Sequence, residues 1–416
     1  MTRKIHIIGA GLSGLSAALQ LSLMGEKVTI YETAPYAGGR CRSYYDREMG
    51  CRIDNGNHLV LSGNAAVQDY LLLTQAAESM TKAPEAVFPF MDLKTGVRWA
   101  VRMNSSRMPW WIFDHNRRVS DTKVLDYLQV LNLLRAGAND TVTSLFDTTT
   151  TLYSRFLEPL TLATLNTEPE NASAQLLTKL FAQSFGAGGK ACQPLIPKIG
   201  LSESFVMPCL NTLRQHDAEV KFGHRLRGLA IESNAVRWLD FGGEVLELTP
   251  SDWVVLAVPP WVAQDLIHGL SAPEEFRTIT NVHFRLEAPH NPSGFTGIIG
   301  GLAEWVFVKP GVVSVTISAS DRYDEQAQEA IPVRVWQDVA KLFDLDPIKL
   351  PAWRVVREKR ATFAATPQQN IRRPRAYIGW DNFALAGDWT DTGLPSCIEG
   401  AIRSGVKAAQ VVMRWS

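Results

Sequence analysis

Gly9, Gly11 and Gly14 stand at the spacing G-x-G-x-x-G, and Glu32 follows about 20 residues on. Glycines so placed permit a tight turn, bring bare backbone up to a diphosphate and start a helix close to the preceding strand. The carboxylate is then in position to accept hydrogen bonds from ribose hydroxyls. This set predicts a dinucleotide site. Gly38-Gly39-Arg40 comes within eight residues of Glu32, where a nicotinamide-binding chain would be building its next crossover helix. Two further glycines admit the diphosphate and a guanidinium neutralises it through paired hydrogen bonds, which favours a flavin. Near the other end, Ala384-Leu385-Ala386-Gly387-Asp388-Trp389 leads into a helix predicted to begin near Pro395 or Ser396. Asp388 is placed to face the ribityl and phosphate region, its plainer role being to cap that helix. The positive end of the helix, with Ile398 in its first turn, would stabilise an anionic reduced ring.

The elements that must carry these residues are legible around them. Ile5, Ile7 and Ile8 form a β-branched run that stops at Gly9, and Leu12, Leu15, Leu19 and Leu23 make one apolar helical stripe that Gly25 can end. Lys27–Glu32 reads as a second strand, so the unit is βαβ, with parallel strands by right-handed crossover. From about 60 to 195 the pattern turns to leucine-rich helical segments, such as Val124, Leu125, Leu128, Leu131 and Leu134, and suggests a different domain. Strands are expected at 220–222, 226–231, 236–239 and 254–258, a return to a buried sheet. Within 280–320, Val282, Phe284 and Leu286 alternate on one face and Val313, Val315 and Ile317 on another, as in a second sheet. A last strand near 383–386 precedes a helix whose Ile398, Ile402, Gly405, Ala409 and Val412 share a face.

Composition narrows the function classes. The 416 residues carry 42 Lys+Arg against 42 Asp+Glu, so no basic footprint points to nucleic acid. Five scattered cysteines without a CxxC pair support neither a disulfide framework nor a zinc site, and no metal site is expected. The apolar run after Arg3 and Lys4 is broken by four glycines and lacks a cleavage site, and no other stretch approaches the roughly 20 apolar residues of a membrane span. The expectation is a cytoplasmic chain, with attachment to the inner face of the cytoplasmic membrane left open.

The three cofactor elements together resemble the flavin amine oxidase and carotenoid desaturase superfamily. Within it, several stretches are similar to the hydroxysqualene dehydroxylase family, the squalene-associated FAD-dependent desaturases of bacterial hopanoid pathways. They are Asp54-Asn55-Gly56-Asn57-His58, Pro109-Trp110-Trp111, Gly200-Leu201-Ser202-Glu203, the six residues from Asn281 to Leu286, the ten from Glu358 to Pro367, and the run from Gly387 to Gly405. One departure is Ser396-Cys397 in place of an Ala-Thr pair, which keeps both positions small. The resemblance implies an α/β fold. A Rossmann-type FAD-binding domain would be assembled from 1–60, 196–270 and 370–416, with an inserted α+β substrate domain from 61–195 and 271–369. It also implies FAD as cofactor and reductive removal of the hydroxyl of hydroxysqualene to give squalene, with hydride passing from reduced flavin N5 to an allylic cation.

Such a site needs an acid, an apolar tunnel and aromatic faces or dipoles near the cation. His58 is the first candidate, because the segment from Asp54 resembles the strand that crosses the ring in this superfamily; a purely structural histidine fits as well. His283 is the weaker second. Gly9, Gly11, Gly14, Glu32, Gly39, Arg40, Leu226, Gly387, Asp388 and Ile398 make up the candidate cofactor set. Trp110 and Trp111, bracketed by Arg107, Arg117 and Arg118, suit either a membrane interface or core packing. Without a second GxGxxG the electron donor is open among NADPH, a reductase and a ferredoxin. Two rivals stand beside this reading: a phytoene-type desaturase or saturase, and a flavin-free prenyl-lipid escort protein.

Overall fold

A computed structural model describes residues 3–288, 293–323 and 330–414; part of the predicted 280–320 alternation, residues 289–292, lies outside them. The chain opens with β1 (Lys4–Ile8), α1 (Leu12–Leu23) and β2 (Lys27–Glu32), β1 and β2 pairing in parallel as the spacing predicts. Ile5, Ile7 and Ile30 are fully buried between layers, so the strands read as continuous apolar runs. The sheet is completed by remote segments: Glu219–Phe222 beside β2, Trp253–Leu256 beside β1, and Phe383–Leu385 at the far edge, all parallel. The residues expected at 226–231 and 236–239 do not join it. Gly228–Glu232, Ala235–Asp240 and Val245–Glu247 make a separate antiparallel meander, which Leu226 precedes outside any strand.

The last helix, Ile398–Arg414, starts two residues later than predicted from Ser396 and lies against α1. A Cβ on its Gly405 would sit 2.3 Å from the Ser13 carbonyl oxygen, so only glycine allows the two backbones this approach.

A second sheet of seven strands runs in the order Trp353–Phe363, Phe276–Arg285, Val312–Ile317, Trp305–Lys309, Phe295–Ile299, Val87–Asp92, Arg98–Arg102. Val282 pairs with Val315 and Phe284 with Val313, so the two alternating sets share one face instead of opposing each other. The helix Ile331–Phe343 covers that face with Val335, Trp336 and Val339. The other face presents Asn281, His283, Ser314 and Thr316 at one end and Phe307, Phe295 and Trp305 further along. The period of two thus separates a greasy face for the helix from a mixed face for the site.

Candidate active site

The glycine loop shows which of its members answer to packing and which to a ligand. Gly9 has φ +106°, and a Cβ there would lie 2.5 Å from the Ala257 carbonyl oxygen; one on Gly14 would lie 2.0 Å from that of Gly9. These two seat α1 on the sheet. Gly11 has no protein atom within 4 Å of a built Cβ, and Gly39 (φ +57°) meets only the Gly11 Cα, at 3.5 Å. Gly38 N–H donates to the Ala10 carbonyl at 2.8 Å, holding both bare stretches side by side at the start of α1. This is an anion cradle: open backbone and the positive end of a helix. Glu32 is fixed at its rim, each carboxylate oxygen accepting a backbone N–H, from Ala10 and Ala34, at 2.8 Å. Second lone pairs remain for ribose hydroxyls. His224 N–H donates to the Glu32 carbonyl, which brings the segment carrying buried Leu226 to the same place.

Arg40 joins the two ends of the chain. Its half-exposed guanidinium donates to Asp388 Oδ1 at 2.7 Å and to the Ala361 carbonyl, so the arginine after β2 and the aspartate after the Phe383–Leu385 strand are partners. Asp388 is therefore an ion-pair acceptor and not the helix cap. Cys397 takes that role, its Sγ accepting from Gly400 N–H at 3.3 Å ahead of Ile398. Gly387 at φ +153° leaves room for the Trp389 indole, 2.2 Å from a built Cβ.

Arg373 went unremarked in the sequence. Its guanidinium, buried against the Phe363 ring at 4.8 Å, donates to the carbonyls of Asp388 (3.1 Å), Trp389 (3.3 Å) and Thr390 (2.5 Å) and to Thr392 Oγ1 (3.0 Å). One side chain thus shapes the whole turn between the last strand and the last helix. Burial lowers its pKa to about 10, against the pull of Asp391 and Asp388, and it remains a cation at neutral pH. One arginine of the three in Ile371-Arg372-Arg373-Pro374-Arg375 carries no motif signal, which is why only the fold exposes it.

The segment from Asp54 to His58 lies against the mixed face of the large sheet. Asp54 is buried and accepts from Ser43 Oγ (2.6 Å), Leu201 N–H (2.9 Å) and Lys309 Nζ. Asn57 reaches Thr316 Oγ1 at 3.1 Å and Asn281 at 3.4 Å through its N–H. A cavity of about 240 Å³ opens here, lined in part by Asp54, Lys309, Ser314 and Lys198. His58 is half-buried near Arg40 and Lys309, and its ring has no hydrogen-bond partner among the described residues. His283 is enclosed: fully buried, Nδ1 on Ser314 Oγ at 2.6 Å, Nε2 unpartnered.

Burial pushes His58, His283 and also His6 down to about 4, so each imidazole is neutral at pH 7. Below the ordinary histidine value of about 6.5 the unfolded chain takes up protons the folded chain refuses. Stability is then full above 6.5 and falls as the pH drops toward 4, by about 2 kcal/mol at pH 5 for each fully buried ring, His6 and His283, and by less for His58. Urea midpoints at pH 7 and pH 5 check this; equal midpoints refute it.

A family model for flavin containing amine oxidoreductases matches residues 12–413. The chain belongs to that family. Among relatives of this flavin-containing oxidoreductase, the hydroxysqualene dehydroxylase of Rhodopseudomonas palustris is 44% identical over 414 residues, covering 99% of both chains. That of Sinorhizobium fredii is 44% identical over 413 residues, again 99% of each. In fold the oxidoreductase is similar to cyclohexylamine oxidase from Brevibacterium oxydans, with a TM-score of 0.70 at 16% identity, covering 100% of this chain and 99% of that one.

Its cofactor is FAD, and the residues present fit that group. Gly11 and Gly39 leave a cradle that any side chain would fill, Glu32 keeps acceptor capacity at its rim, and Arg40 lies half-exposed on the same side as Asp388.

Proposed function

We propose that the enzyme removes the hydroxyl of hydroxysqualene reductively, releasing water and squalene. The observation that carries the reading is an FAD cradle in a chain whose large sheet carries a cluster of aromatic side chains, Phe88, Phe295, Phe307 and Trp305, on its mixed face, apolar surroundings that suit a long polyene. The names of the full-length relatives support it. Bound in its reduced form, FAD supplies the hydride. The protein's own work is to seat the allylic alcohol, exclude water and help the hydroxyl leave as water, taking up one proton as the C–O bond breaks. Aromatic faces stabilise the delocalised cation that this leaves.

His58 is the residue we place against the leaving hydroxyl. Being neutral at pH 7, it serves as a hydrogen-bond donor or a relay, not as a standing acid. His283, locked on Ser314, is a positioning residue behind Asp54. The five-stranded sheet then belongs to the cofactor and the seven-stranded sheet to the substrate. We extend the reading to peripheral attachment at the inner face of the cytoplasmic membrane, through Trp110, which is 60% exposed. Trp111 is excluded from that contact: it is buried edge-on against Tyr127 at 5.4 Å, because its ring completes the interior. No helix among the described residues is long and apolar enough to cross a membrane.

The test is anaerobic. The flavoprotein is reduced with dithionite and mixed with hydroxysqualene, with flavin absorbance and lipid mass followed together. Reoxidation with appearance of squalene is expected, slowed at least about tenfold in His58→Ala if the histidine assists departure. A flavin that stays reduced with the alcohol untouched would overturn the reading in favour of a desaturase, and a protein that refuses FAD would favour the escort.

A further inference from the structure

The segment Val124–Arg135 is a 3₁₀ helix of 12 residues. At three residues per turn, side chains three apart eclipse one another instead of drifting round the axis. Leu125, Leu128, Leu131 and Leu134 therefore form one straight row, and it faces outward: they are 72%, 57%, 58% and 80% exposed. Beside them the shorter 3₁₀ turn Trp110–Phe113 exposes Trp110 and Phe113, 60% and 62%, joined to the longer one through Trp111 and Tyr127. Exposed large apolar residues scattered singly need no explanation, but an aligned row with two aromatics does.

We infer that this row is a membrane-inserting edge for an anionic phospholipid bilayer. Two observations select that occupant over a second copy of the chain. Arg107, Lys123 and Arg135 flank the apolar side chains, are exposed, and form no ion pair among the described residues, so their charges are available to anionic headgroups. The inward side of the same two turns, Trp111, Tyr127 and Leu133, belongs to one buried apolar cluster with Phe295, Phe307, Phe363 and Trp389. Apolar contact is thereby continuous from the inward side of these two turns to the turn beside the cofactor site. This second point rests on the proposal of a lipid substrate; the first does not.

The experiment uses the FAD-loaded protein and vesicles without substrate, so that membrane binding and substrate identity fail separately. Co-sedimentation with phosphatidylcholine vesicles containing phosphatidylglycerol is expected, weaker with phosphatidylcholine alone and in high salt. Combining Leu128→Ser, Leu131→Ser and Leu134→Ser should lower the partition coefficient about a hundredfold, with flavin content unchanged. Trp110→Phe keeps the fold and tests the contact directly: brominated lipids should quench less fluorescence in this variant than in the parent. Failure of the parent to bind either vesicle would overturn the inference. So would a dimer in solution that the triple substitution dissociates, since the row would then be a subunit contact.

Discussion

Gly14→Ala is expected to yield a protein that purifies without flavin and unfolds at a lower temperature. A methyl group on residue 14 must occupy a point 2.0 Å from the Gly9 carbonyl oxygen, far inside contact distance, and that oxygen is fixed by strand β1. Relief requires α1 to lift from the sheet, which opens the Leu15 and Leu19 packing and misdirects the helix start. Overpacking of this kind costs about 1–3 kcal/mol, and FAD affinity should fall at least about a hundredfold. Gly11→Ala separates the two effects. Its backbone is ordinary (φ −71°) and nothing lies within 4 Å of the added methyl, so thermal stability without cofactor should match the parent while FAD affinity drops. Flavin-to-protein absorbance after gel filtration, and melting of the cofactor-free forms, check both. If Gly11→Ala retained flavin fully, the cradle would be misplaced.

Arg373→Met should be nearly as damaging, for the opposite reason. Methionine fills much of the space but donates nothing, leaving the carbonyls of Asp388, Trp389 and Thr390 and the Thr392 hydroxyl without their shared donor. Each buried acceptor so stranded costs about 1–3 kcal/mol; with relaxation of the turn, a net loss of about 4 kcal/mol is expected. Because the turn also aims Asp388 at Arg40, flavin retention should fall along with the urea midpoint. Arg373→Lys keeps the charge but lacks the planar fork, and should recover part of each. A methionine variant with parental stability and flavin content would show that the turn holds itself.

What the sequence made legible and what it hid divide along physical lines. The first strand, helix and second strand were readable to within a residue because their apolar periods are set locally and glycines punctuate them. The motifs at Gly9, Gly38 and Gly387 were readable for the same reason: a backbone that must bend or come close can hardly be anything but glycine. The row from Leu125 to Leu134 was legible as helical, but its exposure was not. Spacing by three is shared by an α-helical face and a 3₁₀ edge, and period alone does not say which side finds a partner. Trp110 and Trp111 were inseparable in the sequence for a related reason, since adjacent residues on a tight turn part company only once packing is known. Arg373 and the pairing of Arg40 with Asp388 depend on residues brought together from afar, and no local pattern encodes them.

The close seat of Gly405 on Ser13 has a bearing on how the enzyme is made. The helix that cradles a diphosphate is synthesised long before the helix it is braced against, with the Phe383–Leu385 strand emerging just ahead of the latter. A ribosome-bound chain can form this βαβ unit early, yet the unit stays unbraced until the Ile398–Arg414 helix has emerged. Capture of FAD thus waits on the Ile398–Arg414 helix, and a chain truncated before it would expose the α1 face to aggregation and proteolysis instead of surviving as a weakly active enzyme.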